Sequence, residues 1–289
     1  MAKEKKMANP IKLQKEAKLL PGYVLMGLWL AFTAVMIIWI LGASLSTSKA
    51  IYTGTVFNFE TGFHFENYIM AWKTQNVSVF FMNSLLYAAV SCAGTLALAA
   101  PAAYVLSRFV FAGNKLIRSG FITAMSIPAI MIILPLFSLA SSAKITESRL
   151  LLIFLYTFMN VPFTTTFLLN FFGTLSRTFE EAAAIDGCSP MKTFWKIMLP
   201  LAQPGMITVA IFNFLGVWNE YFMALIFASS DKLKNVGVGL VSMVSAFKSV
   251  GNMGGLFAAV VIVFLPTFIL YIFMSDKIIA GVTGGGVKG

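Results

Sequence analysis

The stretch TFEEAAAIDGCSPMKTFWKIMLP, residues Thr178–Pro200, has the composition of a soluble helical segment, although long apolar runs lie on both sides of it. Its first four residues have the form of a capping box, which predicts that a helix begins there. Gly187 stands where a helix needs a left-handed terminating residue. Ser189 and Pro190 then suit the N-cap and the first position of a second helix. The stretch therefore predicts two short helices joined at a glycine elbow.

The rest of the chain has the composition of an integral membrane protein. Of its 289 residues 58% are hydrophobic and 11% are charged, whereas soluble domains carry about 25% charge. A net charge of +10 could indicate a nucleic-acid partner. However, Lys and Arg lie mostly at the edges of apolar runs, where membrane topology explains them. We therefore expect contact with membrane lipid and none with nucleic acid.

Six apolar runs are long enough to cross a membrane as helices. They predict an all-α, polytopic bundle in which residues 1–289 form a single transmembrane domain. A lysine-rich leader, residues 1–21, precedes the first run, which is too long for a signal peptide. The predicted spans cover residues 22–45, 79–107, 119–140, 150–172, 206–228 and 256–275, and the helical loop at 178–204 joins the fourth to the fifth.

The distribution of Lys and Arg predicts the orientation of these spans. Fourteen lie on the side of the N-terminus: Lys3, Lys5, Lys6, Lys12, Lys15, Lys18, Arg108, Lys115, Arg118, Arg177, Lys192, Lys196, Lys277 and Lys288. Seven lie on the other side: Lys49, Lys73, Lys144, Arg149, Lys232, Lys234 and Lys248. Because cytoplasmic loops carry the excess of positive charge, both termini and the opening stretch are predicted to face the cytosol.

Polar side chains inside the spans are candidates for a solute path, because each is costly in hydrocarbon unless it is paired or hydrated. Amides can bond sugar hydroxyls, and aromatic rings can stack on the apolar faces of sugars. Interhelical hydrogen bonds or an interfacial aromatic belt are the alternatives. The candidates are Asn83, Asn160, Asn213, Trp218, Asn219 and Glu220.

The chain lacks the residues that would let it power transport or catalyse a reaction. Glu220 is the one ionisable group in the predicted spans, and it lies near the outer boundary, which disfavours a secondary carrier driven by an ion gradient. No P-loop is present, since the glycine-rich tail has the wrong spacing. A single histidine, His64, disfavours a membrane enzyme or a metal site. We therefore expect no catalytic residue, metal or cofactor, and an energy source in another subunit.

The spacing within the opening stretch resembles the EAA loop of ABC importer permeases, EAA-x3-G-x9-I-x-LP. Every named position of that pattern is present. The resemblance implies that this loop is a coupling helix, which docks into a cleft on a separate ATPase subunit. The implied coupling residues are Glu181, Ala182, Ala183, Asp186, Gly187, Ile197, Leu199 and Pro200.

Three further segments, residues 103–115, 218–228 and 284–289, resemble carbohydrate importer permeases of the maltose/maltodextrin type. The tail departs from the pattern at Gly286, so its role stays open. The resemblance implies the type I ABC importer fold in a bacterial or archaeal cytoplasmic membrane. It also implies a second, non-identical permease, two copies of an ATPase subunit that binds the ATP, and an extracytoplasmic solute-binding protein. Alternating access would import a di- or oligosaccharide, with glycerol 3-phosphate or another small polar solute as the alternative.

Overall fold

Apolar helices organise the part of the chain that the structure describes. A computed structural model describes residues 10–74 and 76–284, and every regular element in these two ranges is helical. In chain order the helices are α1 (Pro10–Ser44), α2 (Ser48–Thr53), α3 (Glu66–Thr74), α4 (Val77–Arg108), α5 (Asn114–Met125), α6 (Ala129–Ser142), α7 (Arg149–Thr174), α8 (Thr178–Ile185), α9 (Pro190–Thr193), a π-helical turn (Phe194–Met198), α10 (Leu199–Leu201), α11 (Gln203–Trp218), α12 (Phe222–Phe227), α13 (Val236–Val250) and α14 (Met253–Gly284).

Four of the described helices, α1, α4, α7 and α14, are each long and apolar enough to cross a membrane. Two bent pairs bring the number of candidate spans to six if each pair is one span. Helices α5 and α6 meet at 94°, and the helical segment Pro190–Leu201 meets α11 at 72°. The chain is therefore a polytopic membrane helix bundle, as its composition predicts.

The predicted third span, residues 119–140, is not one continuous helix. Helix α5 ends at Met125 and α6 begins at Ala129, with Pro128 as its N-cap residue. Proline has no N–H to donate and disfavours helical geometry in the residue before it, here Ile127. The 94° bend follows from this local break, whereas Pro101 and Pro162 lie inside the continuous helices α4 and α7.

The predicted fifth span, residues 206–228, is also interrupted. Helix α11 ends at Trp218 and α12 begins at Phe222. The Glu220 carboxylate accepts hydrogen bonds from the backbone N–H groups of Met223 at 2.6 Å and Ala224 at 3.0 Å. Free N–H groups at a helix start need such acceptors, and a carboxylate there also complements the helix dipole. Glu220 thus stabilises a new helix start within the apolar run.

Close packing of α4 against α7 forms the centre of the bundle, and α11 packs against both. Gly94 lies where a Cβ would stand 3.2 Å from Thr157, and Thr95 donates a hydrogen bond to the Thr157 carbonyl at 3.0 Å. Small residues allow membrane helices to approach this closely, and polar pairs then link them. The α4–α7 pair is therefore the part of the bundle on which the loop at 178–204 is built.

Helix α1 lies at the edge of the bundle and leaves most of its apolar surface uncovered. Its Trp29 side chain is 72% exposed, and its contact with the bundle runs along α14, where Trp39 and Phe257 pack edge to face at 5.1 Å. Exposed apolar surface on this scale marks contact with lipid or with another subunit. Residues 1–9 of the predicted leader and residues 285–289 of the glycine-rich tail lie outside the described residues.

Candidate functional site

The first helix of the loop, α8, begins at the predicted residue but with different capping. Thr178 lies in the first helical turn, and the N-cap position is taken by Arg177, which makes no side-chain cap. The reciprocal bonds between Thr178 and Glu181 that a capping box requires are absent, so that prediction was wrong. The hydroxyl of Ser176 instead accepts a hydrogen bond from the Thr178 N–H at 3.2 Å. The Glu181 N–H donates to the Arg177 carbonyl at 3.1 Å, so both backbone donors of the predicted capping box have other acceptors.

The predicted glycine elbow is confirmed. Gly187 has φ +71°, the left-handed conformation that costs glycine little. Its N–H donates to the Ala184 carbonyl at 3.1 Å, and the N–H of Cys188 donates to the Ala183 carbonyl at 2.9 Å. These two bonds form a Schellman motif, which ends a helix and satisfies its last carbonyls. The chain therefore leaves α8 in a fixed direction.

The second helix of the loop begins as the sequence predicts and contains one irregular turn. Ser189 is its N-cap and accepts from the Lys192 N–H at 3.4 Å, with Pro190 at the first position. In the π-helical turn the Leu199 N–H donates to the Phe194 carbonyl, five residues back. Pro200 has no N–H with which to continue the regular pattern, which accounts for the wider turn at this place.

This second helix is anchored in the bundle by two apolar side chains. Phe194 is 3% exposed and Met198 is fully buried, in a cluster with Tyr104 of α4 and Phe172 of α7. The rings of Tyr104 and Phe194 lie 5.0 Å apart. Ile197 and Leu199 are partly buried beside them. The half of the loop after Gly187 is therefore fixed to the central helix pair.

Helix α8, in contrast, leaves an open face. Glu181, Ala182, Asp186 and Gly187 are exposed, as is Pro200 at the end of the loop. Ile185 is 87% exposed, which is unusual for an isoleucine and was not among the predicted residues. Its spacing, three and four residues after Ala182 and Glu181, places it on the same helical face. Ala183 is 2% exposed and packs within this chain, so it does not belong to the open face.

An ion pair that the sequence did not reveal joins α8 to the end of α4. The Nε atom of Arg108 lies 3.3 Å from Oε1 of Glu180, and its Nη2 atom donates to the Leu175 carbonyl at 2.8 Å. The side chains of Arg108 and Glu180 are 6% and 19% exposed. They line a cavity of about 220 Å³ together with Tyr104 and Cys188. Nothing in the local sequence pattern links residues 108 and 180, which are far apart in the chain.

Three of the predicted solute-path residues are buried, and their polar atoms bond within the chain. Asn83 donates to the carbonyls of Lys232 at 2.8 Å and Lys234 at 2.9 Å. The Trp218 indole N–H donates to the Val263 carbonyl at 3.2 Å. The third, Asn213, donates to the Thr164 hydroxyl of α7 at 2.9 Å, and its side chain is 2% exposed.

The other three have freer surfaces. Asn160 is partly buried and donates to the Tyr156 carbonyl, while Asn219 is exposed and donates to the Leu215 carbonyl of its own helix. Glu220 caps α12 and accepts a hydrogen bond from the Tyr156 hydroxyl at 2.8 Å. Trp218, Asn219 and Glu220 meet at the break between α11 and α12. The six residues do not form one cluster in this conformation, and their role in a solute path stays a prediction.

Among the described residues no group of three His, Cys, Asp or Glu could hold a metal ion.

Comparison with known proteins gives a consistent answer. Residues 95–278 match the family described as binding-protein-dependent transport system inner membrane component. The chain is 32% identical over 263 residues to the diacetylchitobiose uptake system permease protein NgcG of Streptomyces coelicolor, a match that covers 91% of this chain and 87% of that protein. It is 27% identical to the galactooligosaccharides transport system permease protein GanQ of Bacillus subtilis, over 98% of this chain and 100% of that one.

A solved structure shares the fold. It is the crystal structure of a bacterial ABC transporter involved in the import of the acidic polysaccharide alginate. One of its chains superimposes with a TM-score of 0.78 at 23% identity, and the match covers 91% of this chain and 97% of that chain.

The matching proteins are transport components rather than enzymes. With the family match extending over well more than half of its length, this chain belongs to the binding-protein-dependent transport system inner membrane components, the permease subunits of ABC importers.

Proposed function

We propose that this chain is one half of the membrane pore of an ABC importer for a di- or oligosaccharide, and that a separate ATPase drives it through α8. The observation that carries the proposal is the two-part construction of the loop at 178–204. The second helix is anchored by Phe194 and Met198, whereas α8 presents an open face with the 87% exposed Ile185. A short helix with an uncovered apolar side chain on an anchored base is suited to enter a groove on a partner.

The coupling surface in this proposal comprises the exposed members of the predicted set and Ile185. Glu181, Ala182, Asp186 and Gly187 lie on or beside the open face. Ala183, Ile197 and Leu199 support that face from within, since their side chains are buried or partly buried. Pro200 has no N–H and accounts for the wide turn before it. This turn belongs to the same half of the loop that supports the open face.

Membership of the family supports an ATPase and a solute-binding protein as partners, and the other parts of the proposed machine are those that the resemblance to maltose-type importers implies. Two copies of the ATPase bind and hydrolyse ATP, a second, non-identical permease completes the pore, and an extracytoplasmic binding protein delivers the solute. This chain itself needs no cofactor. The uncovered apolar surface of α1 supports contact with lipid and with the second permease. Closure of the ATPase dimer displaces α8 and rocks the two permease halves, which opens the path to the other side by alternating access.

In this proposal the chain lies in a bacterial or archaeal cytoplasmic membrane with both termini in the cytosol. The loop at 178–204 then faces the ATPase and the turn between α4 and α5 lies on the same side of the membrane, while α2 and α3 lie at the outer surface. The excess of Lys and Arg on the side of α8 supports this orientation.

A sugar is the proposed solute because the relatives are named for uptake of diacetylchitobiose and galactooligosaccharides. Asn219 and Asn160 are the path residues we favour for solute contact, since both retain exposed side-chain surface. Asn83, Asn213, Trp218 and Glu220 bond to other parts of the chain, and we give them a supporting role in holding the helices around the path. Glycerol 3-phosphate or another small polar solute is the alternative.

The docking of α8 is tested by protection of a single thiol. The permease, with Cys92 and Cys188 replaced by alanine, carries Ile185→Cys, and its reaction with a maleimide is timed with and without the ATPase subunit. We expect the ATPase to slow labelling at least ten-fold. The matched control is Met191→Cys on α9, 67% exposed and beyond the elbow, where we expect little protection. Equal labelling rates for Ile185→Cys with and without the ATPase would refute the docking surface.

The solute is tested separately with the extracytoplasmic binding protein of the proposed complex. Diacetylchitobiose, trehalose, a galactooligosaccharide, maltotriose and glycerol 3-phosphate serve as probes in calorimetry. We expect one of the oligosaccharides to bind, and that sugar to enter proteoliposomes containing the whole complex only with internal ATP. Binding of glycerol 3-phosphate alone would replace the sugar by a polyol phosphate without affecting the coupling proposal.

A further inference from the structure

The side of α8 opposite its open face points back into the bundle, and Glu180 is the charged residue on that side. Its carboxylate meets Arg108, the last residue of α4, at 3.3 Å. The same guanidinium donates at 2.8 Å to the carbonyl of Leu175, the residue that caps α7. One side chain therefore contacts the ends of two spanning helices and the face of the loop helix.

Burial makes this contact stronger than an ordinary surface ion pair. The side chain of Arg108 is 6% exposed and that of Glu180 is 19% exposed, so solvent screens the pair only weakly. Exposed pairs contribute little, but removal of one partner from a buried pair leaves an uncompensated charge. The planar guanidinium is held in place by the bond that it donates to the Leu175 carbonyl, and its Nε atom lies beside the Glu180 carboxylate as a charge contact without a hydrogen bond.

The ion pair contacts the part of the loop before Gly187, whereas the apolar anchor lies after it. Phe194 and Met198 anchor the loop from beyond Gly187, and α8 packs against this anchored half, which itself moves only as the loop moves. Glu180 lies within α8 and contacts α4 directly. A displacement of α8 is therefore passed to α4 through a charged contact, and from α4 to α7 through close packing along the pair.

We propose that Arg108 and Glu180 are positioning residues, whose ion pair makes α8 move as one body with the cytosolic ends of α4 and α7. The inference rests on the proposed docking of α8 to an ATPase. It assigns to two residues outside the EAA pattern the transfer of that movement into the spans.

The test measures a distance within this chain in the complete complex, in lipid nanodiscs. Spin labels are placed at Thr178→Cys on α8 and at Val110→Cys, just beyond α4, where the side chain is 98% exposed. Cys92 and Cys188 are replaced by alanine. Pulsed dipolar spectra are recorded without nucleotide and after trapping with MgATP and vanadate. We expect a narrow distance distribution that keeps its mean in both states.

Glu180→Gln removes the charge and leaves the bond from Arg108 to Leu175 in place. We expect its distance distribution to broaden at least two-fold and its mean to shift on trapping. Glu147 is an exposed residue on the loop before α7, so Glu147→Gln makes the same chemical change elsewhere. Its distance distribution should match that of the unmodified chain. Arg108→Lys keeps the charge but loses the planar group that bonds to the Leu175 carbonyl, so its distance distribution should have an intermediate width.

The outcomes separate this inference from the proposed function. The inference is overturned if the Glu180→Gln chain gives a distance distribution as narrow as that of the unmodified chain, with a mean that stays constant on trapping. This holds even where Ile185→Cys is protected by the ATPase. A lower melting temperature without any change in the distances also overturns it, since the pair would then only stabilise the fold. If Glu180→Gln does not assemble, the double variant Arg108→Gln/Glu180→Gln, which leaves no unpaired charge, replaces it, and a distribution no broader than that of the unmodified chain has the same meaning. Failure of Ile185→Cys protection refutes the docking itself.

Discussion

Gly187 shows how much one residue can decide in this chain. Its φ of +71° is a conformation in which an L-residue with a Cβ is strained, at a cost of about 1–2 kcal/mol. A Cβ at this position would meet nothing within 4 Å, so the cost of a substitution is conformational rather than steric. We predict that Gly187→Val leaves membrane insertion intact but abolishes ATP-driven uptake, because α8 loses its direction. Uptake into proteoliposomes and the amount of complex in the membrane are the measurements.

Gly113 provides a matched control for that experiment. It also has positive φ, +91°, a Cβ there would likewise meet nothing within 4 Å, and it lies in the turn before α5. Gly113→Val therefore carries a similar backbone strain outside the loop at 178–204. We expect it to retain most of the uptake activity. Normal uptake with Gly187→Val, or equal loss in both variants, would contradict a specific role for the elbow.

Local chemistry also explains which residues the sequence could predict. Gly187 and Pro190 act through their own backbone geometry and Ser189 through a hydroxyl that bonds to an N–H three residues on, so their roles can be recognised without knowledge of the fold. Asn83 donates to carbonyls about 150 residues away, and Arg108 pairs with Glu180 in another element. No local pattern contains such partners. The capping box failed for a smaller reason, since the Glu181 N–H donates to the Arg177 carbonyl and the Thr178 N–H donates to the Ser176 hydroxyl.

At the scale of elements, apolar runs predict where helices lie but not where they break. Pro128 separates α5 from α6, although proline at positions 101, 162 and 266 leaves its helix continuous. A proline can remain inside a membrane helix where neighbouring groups satisfy the freed carbonyls, and a local sequence pattern does not contain those neighbours. The break after Trp218 has no proline and depends on Glu220, whose carboxylate begins the next helix. Composition alone does not distinguish these cases.

The role of Glu220 in that break leads to a prediction for α12. Glu220→Ala removes the acceptor for two backbone N–H groups and for the Tyr156 hydroxyl. Loss of such a cap costs about 0.5–2 kcal/mol. We expect a lower melting temperature of the purified permease in detergent. Tyr156→Phe, which removes one of the three donors, should cause a smaller decrease.

Glu220→Gln distinguishes capping from solute binding, because an amide oxygen can still accept hydrogen bonds. We expect its melting temperature to lie near that of the unmodified chain. A stable Glu220→Gln protein with a much larger KM for uptake would assign Glu220 to the solute path. An unchanged melting temperature for Glu220→Ala would show that α12 does not depend on this cap.

At the scale of the whole molecule, the arrangement of charge and helices divides the chain into two faces. The turn after α4, at Val110, and the loop at 178–204 lie on the side predicted to be cytosolic, whereas α2 is predicted to lie on the other. Val110 is 98% exposed and Tyr52 of α2 is 67% exposed. These two positions therefore report on opposite sides of the membrane without disturbing the packed interior.

We predict that a membrane-impermeant maleimide labels Tyr52→Cys in intact spheroplasts, and labels Val110→Cys only after the membrane is permeabilised. The physical reason is the positive-inside rule, which places the Lys- and Arg-rich loops in the cytosol. The background carries alanine at Cys92 and Cys188, and a permeant maleimide should label both test positions without permeabilisation. Labelling of Val110→Cys in intact spheroplasts would place α8 outside the cell, where no ATPase could reach it, and both the coupling proposal and the ion-pair inference would fall together.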